Sequence, residues 1–256
     1  MREGSWLHKI QTFRRMRKLL RNWPSFICHL NRNRTMRVPT TVELRNRLKF
    51  VIRPWTNDFM VLNEVIGDQV YTRRDWELPP TPTIVDVGAY IGDFSVFAKY
   101  LWPDARIYAF EPHPDNFRLL IDNLQLNGYT ATVVQAAVAA QKGTRTLVSD
   151  GTLNYGKYSL LRTGPAAVES RAVMLQDVVR APIDLLKIDC EGGEYEILES
   201  LVSTGYIRQV MGIAMEWHRV PGRNGPIEVT RMLDGFSVSA VEANKDGSTG
   251  TLYAWR

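Results

Sequence analysis

The sequence predicts an α/β protein: a mostly parallel sheet with helices on both faces, ending in an antiparallel hairpin. Three observations carry this expectation. From residue 83 onward, short apolar strand patterns alternate with helical ones, as βαβ units do. The first of these strands runs into a glycine turn and a helix start, Ile84-Val85-Asp86-Val87-Gly88-Ala89-Tyr90-Ile91-Gly92-Asp93-Phe94. The last two strand patterns are joined by Lys245-Asp246-Gly247-Ser248, a turn sequence that makes the final strand antiparallel.

The elements follow in chain order. Residues 5–22 pattern as an amphipathic helix: Trp6, Ile10, Phe13, Met16 and Leu20 recur every three or four residues, with Arg14, Arg15, Lys18 and Arg21 on other faces. Asn22-Trp23-Pro24 ends it. Residues 31–47 are polar and basic and read as a linker. Lys49–Arg53 is a short strand. Thr56-Asn57-Asp58 caps a helix running through Phe59, Leu62, Val65 and Ile66. Leu78-Pro79-Pro80-Thr81-Pro82 is the clearest boundary signal. It divides the chain into a basic extension (1–37), a cap or linker (38–80) and a main domain (81–256). Beyond it come strands at 83–87, 106–110, 131–135, 183–189, 210–217, 236–241 and 250–255. Helices are expected at 93–101, 114–127, 193–203 and 226–234.

Charge is unevenly spread. Residues 1–37 hold ten Lys/Arg and one acid, while the other 219 hold 22 basic and 26 acidic residues. The net +5 therefore disguises a mildly acidic body, which argues against nucleic acid as a partner for the whole chain. The basic helix is open to two main readings: it lies on an anionic membrane surface, or it packs on the body with its charges in solvent. A mitochondrial transit peptide also fits its Arg-rich start, whereas a secretory signal would need an unbroken apolar stretch. No apolar run reaches the ~18 residues of a membrane span. Cys28 and Cys190 lie far apart in unlike contexts and make no disulfide framework, which favours a reducing, cytoplasmic setting.

The glycine turn points to a nucleotide-like ligand, because glycines allow close backbone approach and the helix N-terminus offers free N–H groups. Gly88 and Gly92 are separated by three residues and position 90 is Tyr, so the dinucleotide pattern Gly-x-Gly-x-x-Gly is absent. Asp86, just before the turn, would repel a pyrophosphate but suits a ligand carrying an ammonium and a sulfonium. Glu111, at the tip of the second strand, is placed to accept hydrogen bonds from two ribose hydroxyls.

Three segments carry a resemblance to a known family. They are Val85–Phe94; Phe110-Glu111-Pro112-His113-Pro114 with Phe117, Leu120, Asn123 and Asn127; and Asp184-Leu185-Leu186-Lys187-Ile188-Asp189-Cys190-Glu191-Gly192-Gly193-Glu194. Together they resemble the FkbM family of S-adenosylmethionine-dependent methyltransferases over about residues 57–256. Tyr90 departs from that family's usual small polar residue, and Met174-Leu175-Gln176-Asp177 departs mildly. Gly156–Leu160 is a weaker likeness. The resemblance implies a Rossmann-like class I methyltransferase with a seven-stranded sheet, and transfer to a hydroxyl of a sugar, glycolipid or natural product. It implies a cofactor held along Asp86, Gly88, Ala89, Tyr90, Gly92, Asp93, Phe94, Glu111, Pro112, Ala137 and Asp189.

At the carboxyl edge of the expected sheet, Asp189, Glu191, Glu216 and His218 are the catalytic candidates. His218 is the preferred general base because its ordinary pKa is near neutrality, with Asp189 the rival. Glu194 reads equally as a residue favoured by the first helical turn. No metal ligand is assigned, although so dense an acid cluster could orient a diol through a divalent cation. Lys187 is expected to pair with a nearby acid, and His113 to be a loop residue. Two rivals stand beside the methyltransferase: a nicotinamide-dependent oxidoreductase, disfavoured by Asp86 and the missing glycine, and a non-catalytic scaffold docking through the basic helix.

Overall fold

The computed structural model describes residues 6–24, 26–27, 38–53, 56–73, 75–149, 166–243 and 247–256. In chain order the elements begin with helix α1 (Trp6–Leu19), hairpin strands β1 (Thr40–Glu43) and β2 (Lys49–Ile52), and helix α2 (Asp58–Leu62), which runs on as a π turn to Gly67. Next come β3 (Thr83–Val87), α3 (Asp93–Leu101), β4 (Arg106–Phe110), α4 (Pro114–Leu126) and β5 (Thr132–Val134). A small sheet follows from β6 (Ala137–Val138), β7 (Gly143–Ser149) and β8 (Ala166–Val173). The chain continues through α5 (Leu175–Val178), β9 (Ile183–Ile188), α6 (Glu194–Ser203), β10 (Val210–His218), α7 (Pro226–Met232), β11 (Ser237–Ala243) and β12 (Thr249–Trp255).

The central sheet has seven strands in the order β11-β12-β10-β9-β3-β4-β5. Strands β5, β4, β3, β9 and β10 are parallel; β12 lies antiparallel to β10 and to β11. The expected α/β architecture with a closing hairpin is therefore the observed one. Alternation along the strands sorts the core into two halves. Ile84 and Leu185 pack with α3, α4 and the N-terminal elements, whereas Val85, Leu186 and Ile188 pack with α6 and α7.

Two expectations change. Residues 31–47 are not all linker, since Thr40–Glu43 forms a strand paired with β2. The boundary at 37 also does not end the packed body, because Leu20 and Phe26 are buried in its core. The end of α1 is stitched to the hairpin: Arg21 N–H donates to the Glu43 carbonyl at 2.7 Å, Arg45 N–H to the Leu19 carbonyl at 3.0 Å, and Leu20 bridges Leu44. Met16 and Leu19 pack inward while Arg14, Arg15, Arg17 and Lys18 face solvent. Among the described residues, no helix is long and apolar enough to cross a membrane.

The hairpin in turn is pinned to α4 by two amides. Asn123 exchanges hydrogen bonds with Val51 N–H (2.6 Å) and C=O (3.3 Å), and Asn127 with Lys49 N–H (2.9 Å) and C=O (2.7 Å). Asn123 also donates to the Ile91 carbonyl at 2.8 Å, tying hairpin, helix and glycine turn together.

Candidate functional site

The parallel strands end along one edge, the usual position of ligands in an open α/β sheet. The turn after β3 is held by Gly88 and Ala89 N–H groups donating to the Phe110 carbonyl, at 3.0 and 2.9 Å. A Cβ at Gly88 would lie 1.7 Å from the Asp189 carbonyl oxygen, so glycine is what lets the β3 and β9 turns touch. Gly92 has φ +84° and its missing Cβ would press on Leu120. Tyr90 adopts φ +50°, a left-handed conformation unusual for a bulky residue.

Glu111 sits where the sequence places it, at the tip of β4, and is buried. Its Oε2 accepts from Tyr90 N–H at 2.8 Å; its Oε1 accepts from His113 N–H at 2.9 Å and from Asn116 at 3.3 Å. Burial pushes its pKa up to about 7, against the His113 and Tyr90 amides and the Asn116 side chain. Pro112 is half-buried beside it. His113 is not a plain loop residue but the N-cap of α4, its Nδ1 accepting from Asp115 N–H at 3.2 Å.

Asp86 and Lys187 face each other across β3 and β9 at 3.1 Å, both buried, as the sequence suggests for Lys187. Ser95 donates to the other Asp86 oxygen at 2.7 Å. The Lys187 ammonium donates to the Gly88 carbonyl at 2.6 Å, so the pair supports the turn from below. Burial opposes the Lys187 charge, but Asp86, Asp189 and Asp93 hold its pKa above the ordinary value. Asp93 is buried at the start of α3; its Oδ1 accepts from Phe94 N–H, and its Oδ2 has no hydrogen-bond partner. Burial raises its pKa to about 7, opposed by Lys187 and reinforced by Asp86. Phe94 is core, edge-on to Tyr71 at 5.9 Å. Ala89 is buried within the turn, and Ala137 lies buried on β6, just past the end of β5.

Asp189 follows β9, with its N–H on the Val87 carbonyl. Its Oδ2 accepts from the Tyr71 hydroxyl at 2.9 Å, a residue no sequence signal marked. The Tyr71 hydroxyl is held protonated by burial and by the charges of Asp189, Glu216 and Glu64. His218 ends β10 next to the turn before α6. Its Nδ1 lies 2.9 Å from Glu194 Oε1 and its Nε2 lies 3.7 Å from Glu191 Oε2. Glu194 is fully buried and also accepts from Cys190 and Gly192 N–H, at 3.2 and 3.1 Å, so it belongs to the site rather than to a helix dipole alone. Burial disfavours the His218 cation, but the Glu194 hydrogen bond and the charges of Glu194, Asp189 and Glu191 raise its pKa to about 10. Glu216 goes the other way: burial and Asp189 raise its pKa to about 8, against His218.

The ion pair with Glu194 favours the imidazolium, a form with no lone pair for an incoming proton. Asp189, Glu194 and His218 each bring a possible ligand atom within 4.8 Å of the other two, a spacing that could hold a divalent cation. The weaker likeness at Gly156–Leu160 lies outside the described residues.

Comparison with known proteins meets this geometry. The model of the methyltransferase FkbM domain matches residues 86–243. The chain belongs to the FkbM methyltransferase family. It is 33% identical over 213 residues to the 31-O-demethyl-FK506 methyltransferase FkbM of Streptomyces tacrolimicus, covering 69% of this chain and 81% of that one. It is 29% identical over 242 residues to methyltransferase sdnD of Sordaria araneosa, covering 80% and 92% respectively. The crystal structure of a methyltransferase FkbM from Methylobacillus flagellatus shares the fold, with a TM-score of 0.54 at 13% identity. That match covers 97% of this chain but 59% of the other. The oxidoreductase and scaffold rivals thereby fall away.

FkbM-type methyltransferases imply S-adenosylmethionine, and the site fits such a group. Asp86, Asp93 and Asp189 outnumber Lys187, and Asp93 Oδ2 is buried without a partner. That surplus suits a ligand with cationic ammonium and sulfonium groups, and the Glu111 carboxyl at the tip of β4 has the acceptor chemistry a ribose would need.

Proposed function

We propose that this methyltransferase moves the methyl group of S-adenosylmethionine to a hydroxyl oxygen of a sugar, glycolipid or natural-product acceptor. The observation that supports the reading is the position of Asp189, which meets the glycine turn at Gly88 and accepts from the Tyr71 hydroxyl within the acid cluster. A relative that acts on the 31-O position of a natural product supports oxygen as the target.

The bound cofactor supplies an activated methyl on a sulfonium. Glu111 would hold the ribose and the turn residues Gly88 to Gly92 would allow close backbone approach, while Asp86 with Lys187 fixes the turn beneath. Asp93 and Asp189 supply negative charge toward the cationic end. The acceptor hydroxyl must lose its proton, and Asp189 is the base: Tyr71 holds one carboxylate oxygen and leaves Oδ1 for the alcohol. His218, kept cationic by Glu194, lies in the same acid cluster. Alignment of the hydroxyl with the methyl supplies roughly 7–11 kcal/mol of the barrier in well-oriented systems. A peripheral membrane contact through residues 5–22 would rest on the basic face, since Met16, Leu19 and Leu20 are packed inward.

The test is transfer from methyl-labelled S-adenosylmethionine to a panel of hydroxylated acceptors. Label in an O-methyl linkage supports the proposal; label on nitrogen or carbon instead refutes it. D189N should lower kcat about 10²–10⁴-fold, the usual contribution of a positioned base.

A further inference from the structure

Tyr90 replaces the small polar residue usual in this family, and its ring has a destination. Its hydroxyl donates to Asp58 Oδ1 at 2.5 Å, in an element the resemblance barely reaches. Asp58 is fully buried. Its Oδ2 accepts from Arg53 N–H at 2.7 Å and Nε at 3.0 Å, and its Oδ1 from Arg53 Nη2 at 3.0 Å. Arg53 Nη1 donates to Asn116 Oδ1 at 2.9 Å, and the Asn116 amide donates to Glu111 Oε1. Tyr90 N–H donates to Glu111 Oε2. The hydrogen bonds close on themselves: Glu111, Tyr90, Asp58, Arg53, Asn116 and back to Glu111. The Arg53 guanidinium also lies over the Tyr90 ring, 5.4 Å from its centroid.

We propose that Asp58 and Arg53, from the segment ahead of the methyltransferase sheet, are positioning residues for cofactor binding that act through Tyr90 and Asn116 on Glu111. The inference rests on the cofactor reading above. The physical need is specific. A bulky residue at φ +50° is strained and persists only where its surroundings over-determine it. Here both ends of Tyr90 are fixed, the amide by Glu111 and the hydroxyl by Asp58. Released from Asp58, the side chain loses its anchor and the amide drifts from Glu111. On the other side, Arg53 fixes the Asn116 amide so that its NH₂ faces the carboxylate. Glu111 thus receives two of its three donors through the brace, and these donors favour its charged form against burial. The charged form is the one that accepts two ribose hydroxyls. Arg53 satisfies Asp58 bidentately, so the brace places a compensated charge pair, not a lone acid, beneath the site.

The experiment measures adenosylhomocysteine binding by calorimetry on the full chain, across pH, for wild type, Y90F, D58N, R53K and Y90F/D58N. Y90F removes one hydroxyl and keeps the ring, so it decides the matter even where D58N is poorly folded. Y90F and D58N should each weaken binding about five- to tenfold and shift the pH midpoint of binding upward, because Glu111 loses donors that favour its carboxylate. The double variant should be no weaker than the worse single one, and R53K should bind more weakly than wild type but better than D58N. Well-folded Y90F that binds like wild type with an unmoved midpoint overturns the brace, as do additive losses in the double variant. Failure of wild type itself to bind adenosylhomocysteine instead overturns the cofactor reading beneath it.

Discussion

Replacing Lys187 by Met keeps most of the aliphatic stem and removes one charge from the centre of the site. Lys187 and Asp86 are buried partners at 3.1 Å, and the same ammonium donates to the Gly88 carbonyl at 2.6 Å. Removing one member of a buried pair leaves an uncompensated charge and costs about 3–5 kcal/mol. For a chain of this size that corresponds to a fall in Tm of about 6–20 °C, at ~2–4 °C per kcal/mol. Asp93, whose carboxyl Lys187 holds down against burial, should then titrate above its present value of about 7. The assay is chemical denaturation of K187M, D86N and D86N/K187M, with Tm as a second measure. The double variant should lie well above the sum of the singles, with a coupling energy beyond about 1 kcal/mol. A K187M variant that loses less than about 1 kcal/mol, or strict additivity with D86N, would refute the reasoning, because surface-like pairs behave that way.

Three further outcomes are expected. Leu20→Ala should destabilise the protein by about 2–5 kcal/mol, the range for a buried Leu; a loss below about 0.5 kcal/mol would return α1 to the status of a detachable tail. Carbon-13 or nitrogen-15 titration of His218 should show an imidazolium through neutral pH, with a pKa of about 10. Because that value lies above the ordinary 6.5, its contribution to stability is complete below about pH 6.5 and fades as pH rises toward 10; Glu194→Gln should bring the titration back toward neutrality. Glu111→Ala should weaken adenosylhomocysteine binding more than tenfold. In the unaltered protein that affinity should climb with pH through about 7, as the Glu111 carboxylate forms, and a flat profile would argue against Glu111 as the ribose acceptor.

The parallel strands of the main sheet were legible because they are apolar runs ended by a polar or glycine turn; Asp189 and Glu191 were candidates from the end of the fourth strand, and Glu216 and His218 from parity along the fifth. The small sheet was not. In β7 Leu147 is the one described residue that is buried, so no apolar period marks the strand. β1 carries only Val42 as a buried residue in four. Tyr71, Asp58 and Arg53 were beyond sequence reasoning for another reason: their partners lie 118, 32 and 63 residues away, and nothing local announces such pairings. The partner that sets the charge of His218, Glu194, lies 24 residues earlier, a pairing that nothing local announces.

The two asparagines that clasp β2 have a consequence for how the chain is made. Their targets, Lys49 and Val51, precede them by 78 and 72 residues. During synthesis at ~5–20 residues per second, the hairpin waits about 4–15 s for α4 to appear. In that interval the core that buries Phe50 and Ile52 lacks the α4 side chains Leu119, Leu120 and Leu124. The hairpin is therefore seated only once α4 has been made, and any product that stops short of Asn123 lacks both clasps.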